Sequence, residues 1–356
     1  METLVEIPLS TPRQRKSLLT QLPEIPTLTG FMADHSASLV IAGRQLAAAR
    51  SILVISHLRP DGDAYGSSLG LAHSLRALNI SVRVLNQDGL LPMYNFLPGS
   101  ENILTTPATA PIADLIVSVD TSTEERLGKT FLSWKKPVDL NIDHHGSNTC
   151  YGRNNMVLPE VPATASIITQ LIRECGWPLT PEAASCLFVG LSTDTGSFRY
   201  RGTSSDTFRQ AADLVDAGAD SAELSRHCYQ SMSPQRFALL RLALQSLRTE
   251  CGDRLAYYIL TPEMFLESGA EPEDTEGIVE TSLNVKNIRL GALFELKTDG
   301  SLKVSLRSKD TINVSRIAAG FGGGGHPGAA GINFPSDGIT HIQTVLVKLR
   351  QALDPG

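Results

Sequence analysis

The chain has 356 residues, of which 42% are hydrophobic and 19% charged, so it is long enough for two domains with separate cores. A net charge of -6 argues against a large sequence-independent nucleic-acid surface, because such surfaces neutralise phosphates with lysine and arginine. The chain shows no apolar run of membrane-spanning length and no signal pattern, so we expect a cytoplasmic protein without a membrane partner. Its five cysteines include no C-x-x-C pair, so we expect neither a disulfide framework nor a thiolate zinc site.

Four parts follow one another along the chain. Residues 1–33 hold four prolines and are predicted to be an N-terminal extension, either disordered or an arm that contacts a second copy. We then predict a first α/β domain over 34–230, a connecting helix over 231–247 and a smaller α/β domain over 248–356. The sequence identifies no stable protein partner, although a homodimer stays open.

The first domain alternates β-branched runs with segments of helical periodicity. This alternation predicts a mostly parallel sheet with helices on both faces. The predicted strands are Ile52–Ser56, Ser81–Leu85, Ala113–Val119 and Val138–Ile142. The predicted helices are Ser36–Arg50, one that follows Asp63, Ala163–Cys175, Glu182–Leu191, Ser205–Gly218 and Ala222–Tyr229. The turn-rich segment Gly146–Pro162 is predicted to be a surface loop.

Ionisable side chains stand at the ends of these elements. Ligands bind outside the carboxyl ends of the strands in an open α/β sheet, so residues there are placed for chemistry. Taken singly, each such residue could be a helix cap or a surface histidine, but so many together favour one site. The candidates are His57, Asp61, Asp63, Asp120, Asp143, His144, His145 and Asp194.

Five carboxylates and three imidazoles in one place would repel and desolvate one another unless cations neutralised them. Two divalent ions would do this, and they would also activate water and clamp a phosphoryl group. A set of oxygen ligands with some imidazole suits Mn²⁺ or Mg²⁺, and the histidines favour Mn²⁺. The sequence therefore predicts a two-metal site with Mn²⁺ preferred.

The segment Gly66–Gly70 permits a different interpretation. Its spacing matches the G-x-S-x-G elbow that presents the nucleophile of serine hydrolases, with Ser68 as the serine. That elbow needs the serine on a tight turn directly after a strand, whereas Asp61 and Asp63 lie between the strand and Ser68. We therefore predict that Ser68 is a small residue on a helix.

The second domain is predicted to contain strands at Ala256–Leu260, Ile288–Leu296 and Leu302–Leu306 and a terminal helix at Gly338–Leu353. A glycine-rich segment, Gly320–Gly331, lies among them. Consecutive glycine amides can approach an anion closely, so we predict an ordered substrate-binding loop rather than a flexible turn. Its candidate contacts are Gly323, Gly324, Gly325 and His326, and Arg307 at a strand end is a further candidate.

These motifs together resemble the DHH phosphoesterase superfamily. His57-x-x-x-Asp61-x-Asp63 looks like its first motif, Val119-Asp120 its second, Asp143-His144-His145 its third and Ser192–Gly196 its fourth. Gly322–Gly331 is similar to the signature of the DHH-associated C-terminal substrate-binding domain. The resemblance covers about residues 35–355 and is strongest to the NrnA-type oligoribonucleases and bisphosphate nucleotidases.

The resemblance implies a role for each matched residue. One metal would be held by His57, Asp61, Asp120 and Asp194 or a subset, and the other by Asp63, Asp120, His144 and a shared carboxylate. His145 would face the phosphate or the leaving group, and Asp143 would orient a histidine of the triplet, with His144 the expected one. Arg199, just after the fourth motif, would contact phosphate, although a surface salt bridge is equally compatible with its position.

The resemblance further implies a two-metal hydrolase of short nucleotides. Its substrates would be RNA dinucleotides and short oligomers, including pApA, or 3'-phosphoadenosine 5'-phosphate. Three alternatives stay open: a soluble cyclic-dinucleotide phosphodiesterase, a RecJ-like single-strand exonuclease of either polarity, and a non-catalytic nucleotide-sensing module. The acidic composition favours short substrates, because long strands need a basic track.

Overall fold

The computed structural model describes residues 32–200, 202–309 and 312–353, so the predicted extension 1–33 lies outside the described residues except for its last two. The chain divides into two compact units, Met1–Ser231 and Met232–Gly356. None of the helices in these described ranges combines the length and hydrophobicity needed to cross a lipid bilayer.

The first unit is built on a five-stranded sheet with the order β2-β1-β3-β4-β5, and all its strands are parallel. Its strands are β1 (Ser51–Ile55), β2 (Ser81–Leu85), β3 (Leu115–Val119), β4 (Leu140–Asp143) and β5 (Asn154–Val157). Its helices are α1 (Met32–Ala48), α2 (Gly62–Ala77), α3 (Lys129–Ser133), α4 (Thr164–Glu174), α5 (Pro181–Asp194), α6 (Ser205–Asp216) and α7 (Ser221–Tyr229). Short 3-10 turns lie at Pro92–Tyr94, Ser100–Asn102 and Glu124–Leu127.

Helices cover both faces of this sheet, as the sequence predicts. Ile52 and Val54 of β1 belong to a large core with α1, α2, α4 and α5. The alternate residues Leu53 and Ile55 belong to a smaller core with Phe131 of α3. Because successive side chains of a strand point to opposite faces, the two cores lie on the two sides of the sheet.

Strand β5, like the short helix α3, was not predicted from the sequence. It lies inside the segment predicted to be a surface loop and pairs in parallel with β4. Its sequence, Asn154-Asn155-Met156-Val157, begins with two exposed asparagines and buries one side chain fully, Met156. An edge strand so short and polar lacks the alternation on which the prediction depends.

The order of the strands places a switch point between β1 and β3. From β1 the chain passes to β2 on one side, and it then returns to β3 on the other side. The loops that leave the carboxyl ends of β1 and β3 therefore diverge and leave a crevice between them. His57 follows β1 and Asp120 follows β3, so both lie at this crevice.

Small residues bring α2 close to α5. A Cβ atom at Gly66 would lie 2.5 Å from the Cys186 carbonyl oxygen, and one at Gly190 would lie 2.8 Å from Asp63 Oδ1. Ser68 lies in the body of α2, and its hydroxyl donates to the Ala64 carbonyl at 2.6 Å. The glycines thus serve close helix packing, and Ser68 has the helical position that the sequence predicts rather than that of a nucleophile elbow.

The second unit holds a six-stranded sheet with the order β10-β11-β9-β8-β7-β6, in which β7 and β8 pair in parallel. Its strands are β6 (Arg248–Glu250), β7 (Leu255–Leu260), β8 (Leu290–Leu296), β9 (Leu302–Ser308), β10 (Gly324–His326) and β11 (Ala329–Phe334). Its helices are α8 (Pro234–Ser246), α9 (Pro262–Ser268), α10 (Ile278–Leu283), α11 (Val314–Ala319) and α12 (Gly338–Leu353), with a 3-10 turn at Pro272–Thr275.

Helix α8 lies within the predicted connector 231–247. Its buried residues Leu239 and Ala243 pack in one core with Tyr258 and Leu260 of β7. A second core fills the other face of the sheet and includes Leu346 of α12.

The glycine-rich segment forms a β-hairpin, where the sequence predicts a loop. Gly324–His326 pairs antiparallel with Ala329–Gly331 at the edge of the sheet. Glycine is required at two places: a Cβ at Gly323 would lie 2.2 Å from the Gly331 carbonyl oxygen, and Gly325 has a φ of +143°. The hairpin was not predicted because glycines carry no side-chain alternation.

Candidate active site

The eight ionisable residues predicted to form a site all lie at element ends in the first unit. His57 comes two residues after β1, Asp61 and Asp63 flank the start of α2, and Asp120 directly follows β3. Asp143 ends β4, His144 and His145 come next, and Asp194 ends α5. Three overlapping groups have potential ligand atoms within 4.8 Å of one another: His57, Asp61 and Asp120; Asp63, His144 and Asp194; and Asp120, His144 and His145.

Asp120 belongs to two of these groups, and His144 joins one of the two to the third. Its Oδ2 lies 3.3 Å from His57 Nε2, and its Oδ1 lies 3.6 Å from both His144 Nε2 and His145 Nδ1. The residue has a φ of +52°, a left-handed conformation that costs energy for a residue with a side chain. Its backbone N–H donates to the Ile142 carbonyl at 2.9 Å, which holds this turn against β4.

The ring of His57 presents Nε2 to the carboxylates. Its Nδ1 lies 2.8 Å from the Leu58 carbonyl oxygen and 3.0 Å from Arg126 Nη2. Burial lowers the pKa of His57 despite the opposing effect of Asp61, so the neutral ring is favoured. When the neutral ring donates from Nδ1 to that carbonyl, its Nε2 lone pair faces and repels the oxygens of Asp120 and Asp61, which lie at 3.3 and 3.9 Å. A cation between them would turn this repulsion into coordination.

Asp61 serves as a helix cap and still has an oxygen directed at the site. Its Oδ1 accepts from the backbone N–H groups of Asp63 and Ala64 at 3.1 and 3.0 Å, which caps the N-terminus of α2. Its Oδ2 is the atom 3.9 Å from His57 Nε2, and half of its side chain is exposed. Capping and metal binding are therefore compatible at this position.

Buried negative charge dominates the electrostatics of the site. Burial raises the pKa of Asp120 well above its usual value, and repulsion from Asp63 and Asp61 raises it further. Asp194 follows the same pattern, and its Oδ2 lies 3.2 Å from His144 Nε2. Groups so arranged ionise fully only when a positive charge joins them, so the donor chemistry fits divalent cations.

Asp143 accepts hydrogen bonds at both oxygens. Its Oδ1 accepts from His145 Nδ1 at 2.7 Å and from the His144 backbone N–H at 2.9 Å, and its Oδ2 accepts from Asn148 Nδ2 at 2.6 Å. Burial raises the pKa of Asp143, but the bonds from His145 and Asn148 outweigh it and lower the pKa overall. Asp143 therefore orients the ring of His145, where the sequence predicted that of His144.

Besides Ser67, whose hydroxyl donates to Asp63 Oδ1 at 2.9 Å, three polar residues contact this set without having been predicted. Thr164 donates from its hydroxyl to Asp120 Oδ1 at 3.1 Å, Asn148 donates to Asp143, and Arg126 Nη2 lies 3.0 Å from His57 Nδ1. Asn148 stands three residues after the histidine pair, which was the available signal for it. Thr164 and Arg126 belong to other segments and carry no local pattern.

The predicted substrate-binding residue Arg199 lies on the surface of the first unit. Its Nε donates to the Gly196 carbonyl at 2.6 Å, which braces the turn after α5. This turn contains two consecutive non-glycine residues in the left-handed region, Ser197 and Phe198. That Arg199 binds phosphate stays a prediction.

The other predicted substrate-binding residues lie in the second unit. Arg307 of β9 pairs with Ala329 of β11, which in turn pairs with His326 of β10. Residues directly opposite each other share a face, so Arg307 and His326 flank a small alanine on one face of the sheet. Arg307 donates to Glu280 Oε1 at 2.6 Å. The Gly323 amide donates to the Ala318 carbonyl at 2.9 Å, so it is not directed at an anion as predicted.

Comparisons with known proteins find a matching family model for each unit. The model of the DHH family N-terminal domain matches residues 51–191, and that of the DHHA1 domain matches residues 252–354. The chain is 34% identical to the bifunctional oligoribonuclease and PAP phosphatase NrnA of Thermus thermophilus, over 79% of this chain and 83% of that protein. It is 26% identical to NrnA of Bacillus subtilis over 80% and 90% of the two chains. The crystal structure of an exopolyphosphatase-related protein from Bacteroides fragilis superposes with a TM-score of 0.80 at 27% identity, covering 89% of this chain and 97% of that one.

Proposed function

The chain belongs to the DHH family of phosphoesterases and is a hydrolase of phosphoester bonds, and from this premise we propose that its substrates are short nucleotides. We infer two activities: hydrolysis of RNA dinucleotides and short oligomers, and removal of the 3'-phosphate of 3'-phosphoadenosine 5'-phosphate. Both are named for relatives that match about four-fifths of this chain, among them NrnA of Thermus thermophilus and of Bacillus subtilis.

One observation carries the proposal: two separate ligand groups meet at a single carboxylate. His57 and Asp61 form a ligand group with Asp120, with His57 Nε2 3.3 Å from Asp120 Oδ2. His144 Nε2 lies 3.6 Å from Asp120 Oδ1 and 3.2 Å from Asp194 Oδ2. This arrangement supports one metal at His57, Asp61 and Asp120 and another at Asp63, His144 and Asp194, with Asp120 shared. Two divalent ions bound there would supply activation of water and neutralisation of charge on the phosphoryl group.

We propose Mn²⁺ as the preferred ion and Mg²⁺ as a substitute. The six expected ligands are four carboxylates and two imidazoles. This mixed set suits Mn²⁺ better than Mg²⁺, which prefers oxygen ligands alone. The five cysteines are free, and none of them belongs to the ligand groups found among the described residues, which argues against a structural zinc site.

His145 is the proposed contact of the phosphoryl group. The bond from its Nδ1 to Asp143 at 2.7 Å fixes the ring and its tautomer, and Asn148 holds Asp143 in turn. A ring fixed in this way can direct Nε2 at a phosphoryl oxygen or at the leaving group. Asp143 acts through His145, and we do not assign it to a metal because it belongs to none of the ligand groups found among the described residues.

In the second unit we propose that the face bearing Arg307 and His326 binds the remainder of the substrate. Arg307 offers a guanidinium for phosphate, and Ala329 with Gly324 and Gly331 leaves room beside it for a flat base. The net charge of -6 favours an enzyme of short nucleotides over a RecJ-like exonuclease, because long single strands are bound along basic tracks.

A substrate panel with purified protein tests the proposal. We expect turnover of pApA and 3'-phosphoadenosine 5'-phosphate in Mn²⁺, slow turnover of longer RNA, and none after a chelator removes the metal. Preferred cleavage of a cyclic dinucleotide or of long single strands would replace the proposed substrates with one of the alternatives. Tight binding of these nucleotides in Mn²⁺ without any hydrolysis would show a sensing module instead.

A further inference from the structure

The first turn of α4 contacts two of the proposed metal ligands. The residue before this helix is Ala163, whose side chain cannot cap it. The backbone N–H groups of Thr164 and Ala165 donate instead to Asp63, at 2.6 Å to Oδ2 and 2.9 Å to Oδ1. A carboxylate 101 residues away in the chain thus caps α4, and the helix in turn holds both oxygens of that carboxylate.

Thr164 also contacts the carboxylate that the two proposed metals share. Its hydroxyl donates to Asp120 Oδ1 at 3.1 Å. Thr164 and both acceptors are at most 1% exposed, so water does not compete for these bonds. A buried hydroxyl that donates to a carboxylate makes a charge-assisted bond, which is stronger and more directional than a neutral one.

These bonds fix the orientation of the shared carboxylate. Asp120 Oδ1 faces His144, and Oδ2 faces His57. Rotation of the carboxylate plane would move both oxygens away from their groups at once, and the Thr164 hydroxyl opposes that rotation by holding Oδ1. The partial positive charge of the helix N-terminus further stabilises negative charge on Asp63 and Asp120.

We propose that the first turn of α4 pre-organises the metal-binding carboxylates, with Thr164 as the positioning residue for Asp120. The inference rests on the proposed function, because metal binding at Asp120 is part of that function. It adds that a residue outside the four sequence motifs sets the metal affinity. Partners that orient ligands in this way change affinity by about 10- to 100-fold when they are lost.

The test is Mn²⁺ binding to the full chain, measured by calorimetry without nucleotide. Thr164→Val keeps the shape of the side chain and removes the hydroxyl, and we expect it to weaken Mn²⁺ binding by about 10- to 100-fold. Thr164→Ser retains the hydroxyl and should restore most of the affinity. Thr169→Val is the matched control, because Thr169 is buried on the same helix and donates to the Ala165 carbonyl at 2.8 Å rather than to a carboxylate.

The outcomes separate this inference from the proposal on which it rests. If Thr164→Val binds Mn²⁺ as tightly as Thr169→Val, or if Thr164→Ser is as weak as Thr164→Val, the positioning role is wrong while the two-metal site stands. If the unchanged protein binds no Mn²⁺, the proposed function fails and the inference with it. Circular dichroism monitors folding, and should Thr164→Val not fold, Thr164→Ala enters the same comparison.

Discussion

The two regions that carry the predicted site residues are constructed in opposite ways. In the first unit, Asp63, Asp120 and Asp143 are almost wholly buried, and Asp63 and Asp143 each accept three hydrogen bonds. In the second unit, β10 is exposed along its whole length, and the side chain of Arg307 is held by Glu280 and its neighbouring carbonyl. Ions demand fixed, desolvated ligands, whereas a bound nucleotide needs room and access to the backbone.

This difference predicts how variants will divide. Changes in the buried region should reduce turnover or metal binding even at saturating substrate. Changes on the exposed face should chiefly raise the substrate concentration required, since the role that we propose for that face is binding rather than chemistry. Any variant that behaves like those of the other region would break the comparison.

The largest effect is expected for Asp120→Asn. Asparagine tolerates the left-handed conformation at this position, so the backbone should be retained. Loss of the carboxylate that we propose the two metals share should reduce kcat by about 10³-fold or more, because several kcal/mol of charge stabilisation would be lost with it. Single-turnover kinetics with pApA in Mn²⁺ measure this loss.

The same variant offers an internal control for folding. Burial and repulsion raise the pKa of Asp120 in the folded protein, so its ionised form opposes folding at neutral pH when metal is absent. Asp120→Asn should therefore be at least as thermally stable as the unchanged protein in a chelator. A large loss of stability there would show that the lost turnover reflects unfolding.

The second effect in size is expected for Asn148→Ala. Asn148 Nδ2 donates to Asp143 Oδ2 at 2.6 Å and to the side-chain oxygen of Asn141 at 2.8 Å. Without it, Asp143 holds His145 less firmly, and we expect kcat to fall by about 10- to 100-fold. Asn155→Ala is the matched control, because Asn155 bonds the Cys150 and Gly152 carbonyls of the same loop without touching Asp143. Equal losses of kcat in both variants would show that Asn148 maintains the loop rather than the position of His145.

Arg307→Ala should have a smaller effect of a different kind. One charge-assisted bond to phosphate contributes about 1.5–3 kcal/mol, so we expect KM for pApA to rise by about tenfold or more while kcat changes little. Lys303→Ala is the control, because Lys303 lies on the same strand and face and also pairs with an acid, Glu295, at 3.4 Å. A fall in kcat for Arg307→Ala would place this residue at the reacting group.

The comparison also explains what the sequence could reveal. Strands β1, β3 and β4 are predicted by their apolar, β-branched runs, and ionisable residues follow each of them. The residues of the buried site could therefore be predicted from local sequence patterns. Asp63 could be identified, but its role as the cap of α4 could not, because the acceptor and donor lie 101 residues apart. The contact of Thr164 with Asp120, 44 residues away in the chain, could not be predicted for the same reason.

In the second unit the limit was different. The glycines drew attention to this segment, but a strand made of glycine has no alternation of side chains from which a strand could be predicted. The face shared by Arg307 and His326 depends on the register of three strands, and register follows from tertiary pairing rather than from composition.

The smallest effect on turnover is expected for Gly325→Ala, which tests the backbone of the hairpin. Gly325 has a φ of +143°, and an added Cβ would lie 2.4 Å from the Ala329 carbonyl oxygen, so we expect a loss of about 1–3 kcal/mol in stability. Gly324→Ala is the matched control, because a Cβ there meets nothing within 4 Å. Thermal unfolding compares the two variants, and KM for pApA shows whether the hairpin binds substrate. If Gly324→Ala leaves stability unchanged but raises KM, the face beside Arg307 is narrow enough for one methyl group to exclude the nucleotide.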